Sequence, residues 1–259
     1  MSELTITFLG TGTSQGVPMI GCDCVVCASP DPRDKRTRAS IYVATPECSW
    51  VMDTGPEFRV QCLREKISRM DAVVYTHSHT DHIMGFDDLR VFCHGGHDLP
   101  IYASRETMTD LERVFNFAFN GKNRFPGYVR PVPHLVDGPF QLGETTLTPL
   151  PVEHGRAQVN GYLFSRRGEK LAAYLSDCKR VPECVIETIR GTRVVIVDAL
   201  RHREHPTHMS VREALDFAAI VQPQQTWFTH LCHELGHAAT ESELPENVRI
   251  AFDGLRLEL

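Results

Sequence analysis

The segment that most restricts the fold of this chain is Thr-His-Ser-His-Thr-Asp-His, at residues 76–82. It follows a short apolar run, residues 71–75, that predicts a buried strand. Its potential metal ligands are His77, His79, Asp81 and His82. In extended backbone the first two histidines project to the same side, and after the turn the aspartate and the last histidine face a second point nearby. One loop at the end of a strand therefore offers ligands to two metal ions.

A second cluster of ligand types lies in a loop at residues 21–28. Three of the nine cysteines stand there in the order C-x-C-x-x-C, at Cys22, Cys24 and Cys27. The odd cysteine count, with no export signal in view, favours metal binding and free thiols over a disulfide framework. Three thiols at this spacing can occupy three corners of a tetrahedron around Zn²⁺ and leave the fourth for a distant residue. The alternative is three unrelated free cysteines.

Length and composition limit the class of protein. The chain has 259 residues, 42% of them hydrophobic and 23% charged, as is ordinary for a globular α/β protein. A formal net charge of −6 argues against a broad nucleic-acid surface, so a long nucleic acid is not expected as a partner. The sequence has neither an apolar run near the ~20 residues of a membrane span nor the layout of a signal peptide. We expect a cytoplasmic protein without a membrane partner.

Strands and helices alternate along the chain without a linker, which predicts a single domain over residues 1–259, built from two similar α/β halves. Strands are predicted at Leu4–Leu9, Ser40–Ala44, Trp50–Asp53, Leu99–Ala103, Thr145–Val152, Gly161–Phe164, Lys170–Leu175, Arg193–Val197, Gln225–Thr229 and Val248–Phe252. Helices are predicted at Glu57–Arg69, Ile83–Phe92, from Glu106 onwards, at Pro182–Arg190 and at Ser210–Gln222. The helix from Glu106 carries an apolar stripe through Leu111, Val114, Phe115, Ala118 and Phe119.

Several predicted strands of the second half end in a residue that can bind a metal. His154, Asp177 and His230 each stand at the carboxyl end of a predicted strand. Side chains at the ends of separate strands meet along one rim of a sheet, where function is commonly placed. One such residue alone would more often be structural, but several together with the 76–82 loop indicate a shared site.

At this point the chain resembles the metallo-β-lactamase superfamily, whose H-x-H-x-D-H loop matches residues 77–82 and whose later ligands match those three strand ends. The resemblance implies an αββα sandwich, two mixed sheets flanked by helices, with a dinuclear metal site between the sheets. It also implies that one metal is held by His77, His79 and His154, that the other is held by Asp81, His82 and His230, and that Asp177 bridges them. The metals suited to such ligands are Zn²⁺, Mn²⁺ or Fe.

A narrower resemblance rests on Gly-Thr-Gly-Thr-Ser-Gln-Gly-Val-Pro at residues 10–18, leading into the cysteine loop. This combination is similar to the phosphoribosyl cyclic phosphodiesterases of phosphonate degradation. It implies a structural zinc on Cys22, Cys24, Cys27 and His233, and a homodimer. It also implies catalytic roles for Asp81 and for His208, a histidine near the scissile phosphate. The sequence departs from that family between Ala199 and His208, where basic residues crowd the segment.

Other motifs support rival interpretations. His-Glu-Leu-Gly-His at 233–237 satisfies the H-E-x-x-H signature of zinc proteases, but Gly236 weakens the required helix by about 1 kcal/mol. Asp53-Thr-Gly occurs in aspartic proteases, which need two such carboxylates, whereas one copy is present. The glycines at 10–16 precede no helix and so favour a tight loop beside a ligand over dinucleotide binding.

These observations predict a metal-dependent phosphodiesterase that acts on small cyclic phosphates of a sugar or nucleotide. A water shared by the two ions would be acidified toward neutral pH and attack the phosphorus, and His208 would protonate the leaving oxygen. Arg156, Lys179, Arg201 and Arg203 are candidates to bind a second phosphate. The alternatives are processing of RNA 3′ ends and an accessory role in cofactor biosynthesis, as in the pyrroloquinoline quinone pathway. The aromatic stretch at 115–128 is expected to be core, a lid or a dimer contact.

Overall fold

The computed structural model describes residues 3–121 and 125–259. Its strands form two seven-stranded sheets, in the orders β14-β1-β2-β3-β4-β5-β6 and β13-β12-β11-β10-β9-β8-β7. The strands are β1 Thr5–Gly10, β2 Ser40–Ala44, β3 Ser49–Met52, β4 Ala72–Val74, β5 Leu99–Ala103, β6 Pro131–Leu135, β7 Phe140–Leu142, β8 Thr145–His154, β9 Ala157–Arg166, β10 Glu169–Leu175, β11 Val194–Asp198, β12 Gln225–Thr229, β13 Val248–Ile250 and β14 Arg256–Glu258.

Each sheet is antiparallel at one side and parallel at the other. In the first sheet β3, β4, β5 and β6 run parallel, and in the second sheet β10, β11, β12 and β13 do. The helices are α1 Phe58–Glu65, α2 Thr80–Ile83, α3 Arg105–Val114, α4 Asn116–Phe119, α5 Glu183–Ile189, α6 Val211–Val221 and α7 His237–Glu241. No helix of the described ranges is both long and apolar enough to cross a bilayer.

Alternation along the strands builds three apolar layers. In β10, Ala172 and Tyr174 join the core between the two sheets, whereas Ala173 and Leu175 face the outer layer that packs on α5 and α6. In the first sheet, Val73 faces away from the central core into the layer that α1, α3 and α4 cover. Period-two burial on both faces of both sheets produces the predicted αββα sandwich, which is thereby confirmed.

The predicted elements match the structure in most places, with corrections where the chain bends. The helix predicted at Glu57–Arg69 ends at Glu65, because Lys66 adopts a left-handed conformation. The helix predicted at Ile83–Phe92 is wrong: a short helix covers 80–83, and a 3₁₀ run with a kink covers 86–96. Strands β6, β7 and β14 were not predicted.

The apolar stripe beyond Glu106 is also corrected in part. The helix is interrupted at Phe115, and Val114 is 45% exposed, so it does not belong to the buried stripe. Leu111, Phe115 and Ala118 are buried in the outer core of the first sheet. Within the aromatic stretch, Phe117, Phe125 and Tyr128 are exposed, and residues 122–124 lie outside the described ranges.

A close backbone approach fixes the loop that carries the first ligands. Thr54 donates its N–H to the His82 carbonyl at 2.7 Å, and its own carbonyl accepts from Gly85 N at 2.8 Å. A Cβ on Gly55 would meet the Asp81 carbonyl oxygen, so glycine is required where the two backbones touch. The start of α2 is therefore held against the end of β3.

Candidate metal centres

Two groups of three potential ligands lie where strands of both sheets end. The ligand atoms of His77, His79 and His154 lie within 4.8 Å of one another, and so do those of Asp81, His82 and His230. The first sheet contributes the loop after β4, and the second contributes the ends of β8 and β12. These are the two triplets that the sequence resemblance implies, brought together from both sheets.

Asp177, which follows β10, lies between the two triplets. Its Oδ2 is 3.1 Å from His82 Nε2. Its Oδ1 is 3.3 Å from His230 Nε2 and 3.9 Å from His154 Nε2. One carboxylate thus contacts imidazoles of both triplets, which is the position that a bridging ligand requires.

Most of these histidines have their Nδ1 atom occupied by the protein. His82 Nδ1 is 2.8 Å from Asp53 Oδ2, His154 Nδ1 is 2.8 Å from the Thr207 carbonyl, and His77 Nδ1 is 3.0 Å from Thr76 Oγ1. A hydrogen bond from Nδ1–H fixes the tautomer and leaves Nε2 as the ligand atom, as is usual for metal-binding histidines.

Several of the atoms that face the cluster have no hydrogen-bond partner among the described residues. Nε2 of His77, His82 and His230, together with Asp177 Oδ2, are buried and make no hydrogen bond within the described ranges. Buried polar atoms are normally satisfied, so a convergent set of unsatisfied lone pairs indicates a missing electrophile. Imidazole and carboxylate donors suit divalent ions. The residues present therefore fit divalent metals.

The protonation behaviour of the cluster leads to the same conclusion. Burial alone would lower the pKa of His82, but Asp177, Asp53 and Asp81 raise it well above its usual value. Burial would raise the pKa of Asp177, but His230 and His82 hold it well below its usual value. Without a metal, protons on imidazoles balance the buried carboxylates. Bound cations would take over that balance.

Asp53 is a functional residue whose role was not predicted from the sequence. It is fully buried, accepts from Thr76 N and Thr76 Oγ1 at 2.8 Å each, and holds His82 at the same time. It acts on the site by fixing one ligand rather than by binding the metal. The sequence did contain a signal for this role: Asp53 directly follows β3, a predicted strand, just as Asp177 follows β10.

His208, the predicted general acid, lies at the edge of the cluster. Its ring centroid is 4.5 Å from that of His154 and 4.7 Å from that of His230. Its Nδ1 is 2.6 Å from Oδ2 of Asp198, a fully buried carboxylate at the end of β11 that sequence reasoning missed. Burial lowers the pKa of His208 to about 3 and raises that of Asp198 well above its usual range. Both shifts favour the uncharged form of the group concerned, so burial opposes a full ion pair between the two side chains.

The four residues predicted to bind structural zinc also converge. His233 Nδ1 is 3.2 Å from Cys22 Sγ and 3.5 Å from Cys24 Sγ. All four ligand atoms, including Cys27 Sγ, lie within 4.8 Å of one another. This spacing suits a tetrahedral zinc with three thiolates and one imidazole. The group is a second candidate centre, closed by four protein ligands.

The rival protease motifs are not assembled. Residues 233 and 234 form a turn, and α7 begins only at His237, so His233 and His237 do not share a helical face. His237 instead donates its backbone N–H to Asp34 Oδ1 at 2.7 Å. Asp53 pairs with a histidine rather than with a second carboxylate.

Replacing Asp53 by Asn should weaken metal binding at the dinuclear cluster by about 10–100-fold, the usual cost of losing a partner of a ligating histidine. The neutral amide no longer fixes the proton on His82 Nδ1, so Nε2 is not reliably free to bind metal. Metal content after dialysis against graded chelator measures the effect. The control is Asp216→Asn, a 60% exposed carboxylate on α6. Equal metal retention in both variants would contradict the role of Asp53.

Replacing His233 by Ala should remove about one zinc per chain and lower the melting temperature together, because a closed four-ligand zinc site contributes directly to folding. Metal analysis and thermal unfolding measure the two effects. His94→Ala, at an exposed position, is the matched control. If zinc content does not change, the cysteine group is not a zinc site.

Comparison with known proteins places the chain in the beta-lactamase superfamily. A family model described as a beta-lactamase superfamily domain matches residues 50–231. A crystal structure of a new diphosphatase from the PhnP family is 40% identical, with a TM-score of 0.91, and covers 99% of this chain and 97% of that chain. Zn²⁺-bound PqqB from Methylobacterium extorquens has a TM-score of 0.79 at 19% identity, over 98% of this chain and 100% of that one, and so shows the fold alone.

A curated relative is an octanoyltransferase of Porphyromonas gingivalis (strain ATCC BAA-308 / W83). It is 37% identical over 257 residues, which cover 95% of this chain and 50% of that protein. The chain thus spans about half the length of this relative. The fold, the two ligand groups and the matching family domain agree: this chain belongs to the beta-lactamase superfamily and is PhnP-like within it.

Proposed function

We propose that this protein is a metal-dependent phosphodiesterase that hydrolyses small cyclic phosphates of a sugar or nucleotide. The observation that carries the proposal is a two-triplet ligand set joined by Asp177, with the His208–Asp198 pair at its edge. A charged phosphodiester needs its negative charge neutralised and its leaving oxygen protonated. These residues are arranged to support both tasks.

In this proposal one metal is held by His77, His79 and His154, the other by Asp81, His82 and His230, and both by Asp177. Two divalent ions at such a site activate water at neutral pH and neutralise phosphate oxygens. Zinc and manganese both suit these ligands, and the cysteine group would hold a separate zinc. Asp53 and Thr207 hold the ligand rings in the orientation that leaves Nε2 free.

The proton for the leaving oxygen would come from His208. In the proposed reactive form, the pair holds one proton between Asp198 Oδ2 and His208 Nδ1 and a second on His208 Nε2. Donation from Nε2 to the leaving oxygen leaves a carboxylate and an imidazole that still share the first proton. The 2.6 Å contact keeps the ring in place while its charge changes.

A second candidate is hydrolysis of a diphosphate, favoured by the 40% identical diphosphatase structure. Both substrates bring a phosphorus with charged oxygens to the same ligands, so the site itself does not separate them. An accessory role without catalysis is disfavoured, because the complete ligand set is assembled. The octanoyltransferase name belongs to a protein twice as long and is not carried over to this chain.

The protein loaded with Mn²⁺ or Zn²⁺ should hydrolyse ribose 1,2-cyclic phosphate or nucleoside 2′,3′-cyclic phosphates. We expect Asp177→Asn to abolish turnover, because both triplets lose their shared carboxylate, while cysteine-bound zinc is retained. Product release measured by ³¹P NMR, together with metal analysis, checks both statements. Absence of turnover on every cyclic phosphate would refute the proposal, and turnover on diphosphates alone would support the second candidate.

Replacing His208 by Gln should slow cleavage of an alkyl phosphodiester by about 10²–10⁴-fold, the usual contribution of acid–base catalysis. Cleavage of bis(p-nitrophenyl) phosphate should fall far less, since p-nitrophenolate leaves without protonation. The ratio of the two rates is the measured quantity. Equal losses on both substrates would mean that His208 supports the site structurally and is not the acid.

A further inference from the structure

A cavity of about 240 Å³ adjoins the dinuclear cluster. Its three walls come from residues 13–15, from the segment 200–208 and from residues 232–234. His208 belongs also to the edge of the dinuclear cluster, and His233 belongs also to the cysteine group. The cavity therefore lies between the reaction site and the candidate zinc site, and it shares a side chain with each.

The cavity walls are held by backbone hydrogen bonds from distant parts of the chain. Leu231 N donates to the Thr11 carbonyl at 2.8 Å, and Thr13 N donates to the Leu231 carbonyl at 3.3 Å. Cys232 N donates to the Leu200 carbonyl at 3.0 Å. All three walls are thus tied to one another through the segment that follows β12. A cavity fixed in this way is formed before a ligand arrives.

One cation in the lining keeps part of its charge uncompensated. Arg203 binds Glu234 with two contacts, of 2.6 and 3.2 Å, and so neutralises the one carboxylate of the lining. Arg201 donates Nε and Nη2 to the carbonyls of Arg203 and Glu204, at 3.3 and 3.1 Å. Its Nη1 is 3.6 Å from Glu234 Oε1, an ion pair without a hydrogen bond. Two arginines thus share one carboxylate, and Arg201 is held at the cavity with a net positive charge beside it.

The rest of the lining offers mainly hydrogen-bond donors. His205 Nδ1 accepts from Thr207 N at 3.3 Å, so in the neutral ring the proton resides on Nε2. Thr13 and Ser14 add hydroxyl groups. A guanidinium surrounded by neutral donors is the arrangement that binds phosphate.

We propose that this cavity binds a phosphate monoester group of the substrate, remote from the scissile bond, with Arg201 as its cation. The proposal rests on the proposed function, because it places the unreacted end of the same substrate. The volume is below the roughly 300–1,000 Å³ of drug-sized ligand pockets, so a sugar phosphate suits it better than an RNA end. Of the other basic candidates, Lys179 pairs with Glu213 at 2.5 Å, and Arg156 does not line the cavity.

The test uses two substrates that differ only in the remote group: a nucleoside 2′,3′-cyclic phosphate with and without a 5′-phosphate. In Arg201→Gln the ratio of kcat/KM for the phosphorylated over the unphosphorylated substrate should fall at least about tenfold, or about 1.4 kcal/mol. Arg201→Lys keeps the positive charge, so its ratio of the two kcat/KM values should stay close to that of the wild type. Arg212→Gln, at an 82% exposed position on α6, is the matched control. An unchanged ratio in Arg201→Gln, or an equal fall in Arg201→Lys, would overturn the proposal.

A binding measurement separates this proposal from the proposed function. Calorimetry on the metal-loaded protein compares ribose 5-phosphate with ribose in the wild type and in both Arg201 variants. We expect the phosphorylated sugar to bind at least about tenfold more weakly to Arg201→Gln. If ribose 5-phosphate binds the wild type and Arg201→Gln with equal affinity, its phosphate lies on the metal ions and the subsite is refuted. If ribose 5-phosphate does not bind the wild type, the subsite is refuted as well. If binding depends on Arg201 but no cyclic phosphate is hydrolysed, the subsite stands and the proposed function fails.

Discussion

The structure around the site depends on compensation of buried negative charge. Asp53 and Asp198 are fully buried, and Asp177 is 2% exposed, all at the carboxyl ends of parallel strands. Isolated carboxylates removed from water to this extent would be strongly destabilising. Each is therefore paired with an imidazole, and the imidazoles turn their remaining nitrogens toward a common space. The arrangement of histidines around the cluster follows from the need to balance these charges, and it also creates the metal-binding groups.

The sandwich architecture explains why these charges meet at one place. Both sheets pass from antiparallel to parallel pairing, so each has several adjacent strands that end on the same side. The first sheet brings Asp53 and the 77–82 loop to that side, and the second brings Asp177, Asp198 and His230. The core between the sheets includes Trp50 and Phe164, whose ring centroids are 5.9 Å apart. A rigid apolar layer thus sets the distance between ligands from different sheets.

The sequence identified site residues where several ligands stand close together along the chain. It did not identify residues that find their partners only when two strands lie side by side in the sheet. The 77–82 loop and the cysteine loop each contain several ligands within a few residues, so their chemistry is visible without a fold. Asp53 and Asp198 look like any other carboxylate after a strand, since their histidines lie 29 and 10 residues away and the sheet alone pairs them. β7 and β14 are too short for a pattern, and β6 carries Pro131 and Pro133, which suit its edge position.

The segment after β12 links the two candidate centres mechanically. His230 enters the dinuclear cluster and His233 enters the cysteine group, so only two residues separate candidate ligands of different metals. Arg36, 1% exposed, fixes the turn between and beyond them by donating to the Cys232 and Leu235 carbonyls at 3.0 and 2.7 Å. The same turn forms a wall of the Arg201 cavity. Zinc in the cysteine group would therefore stabilise more than a surface loop. By holding His233, it would fix the position of the cavity wall relative to His230. A zinc bound there would thereby set the distance between the two ends of the proposed substrate.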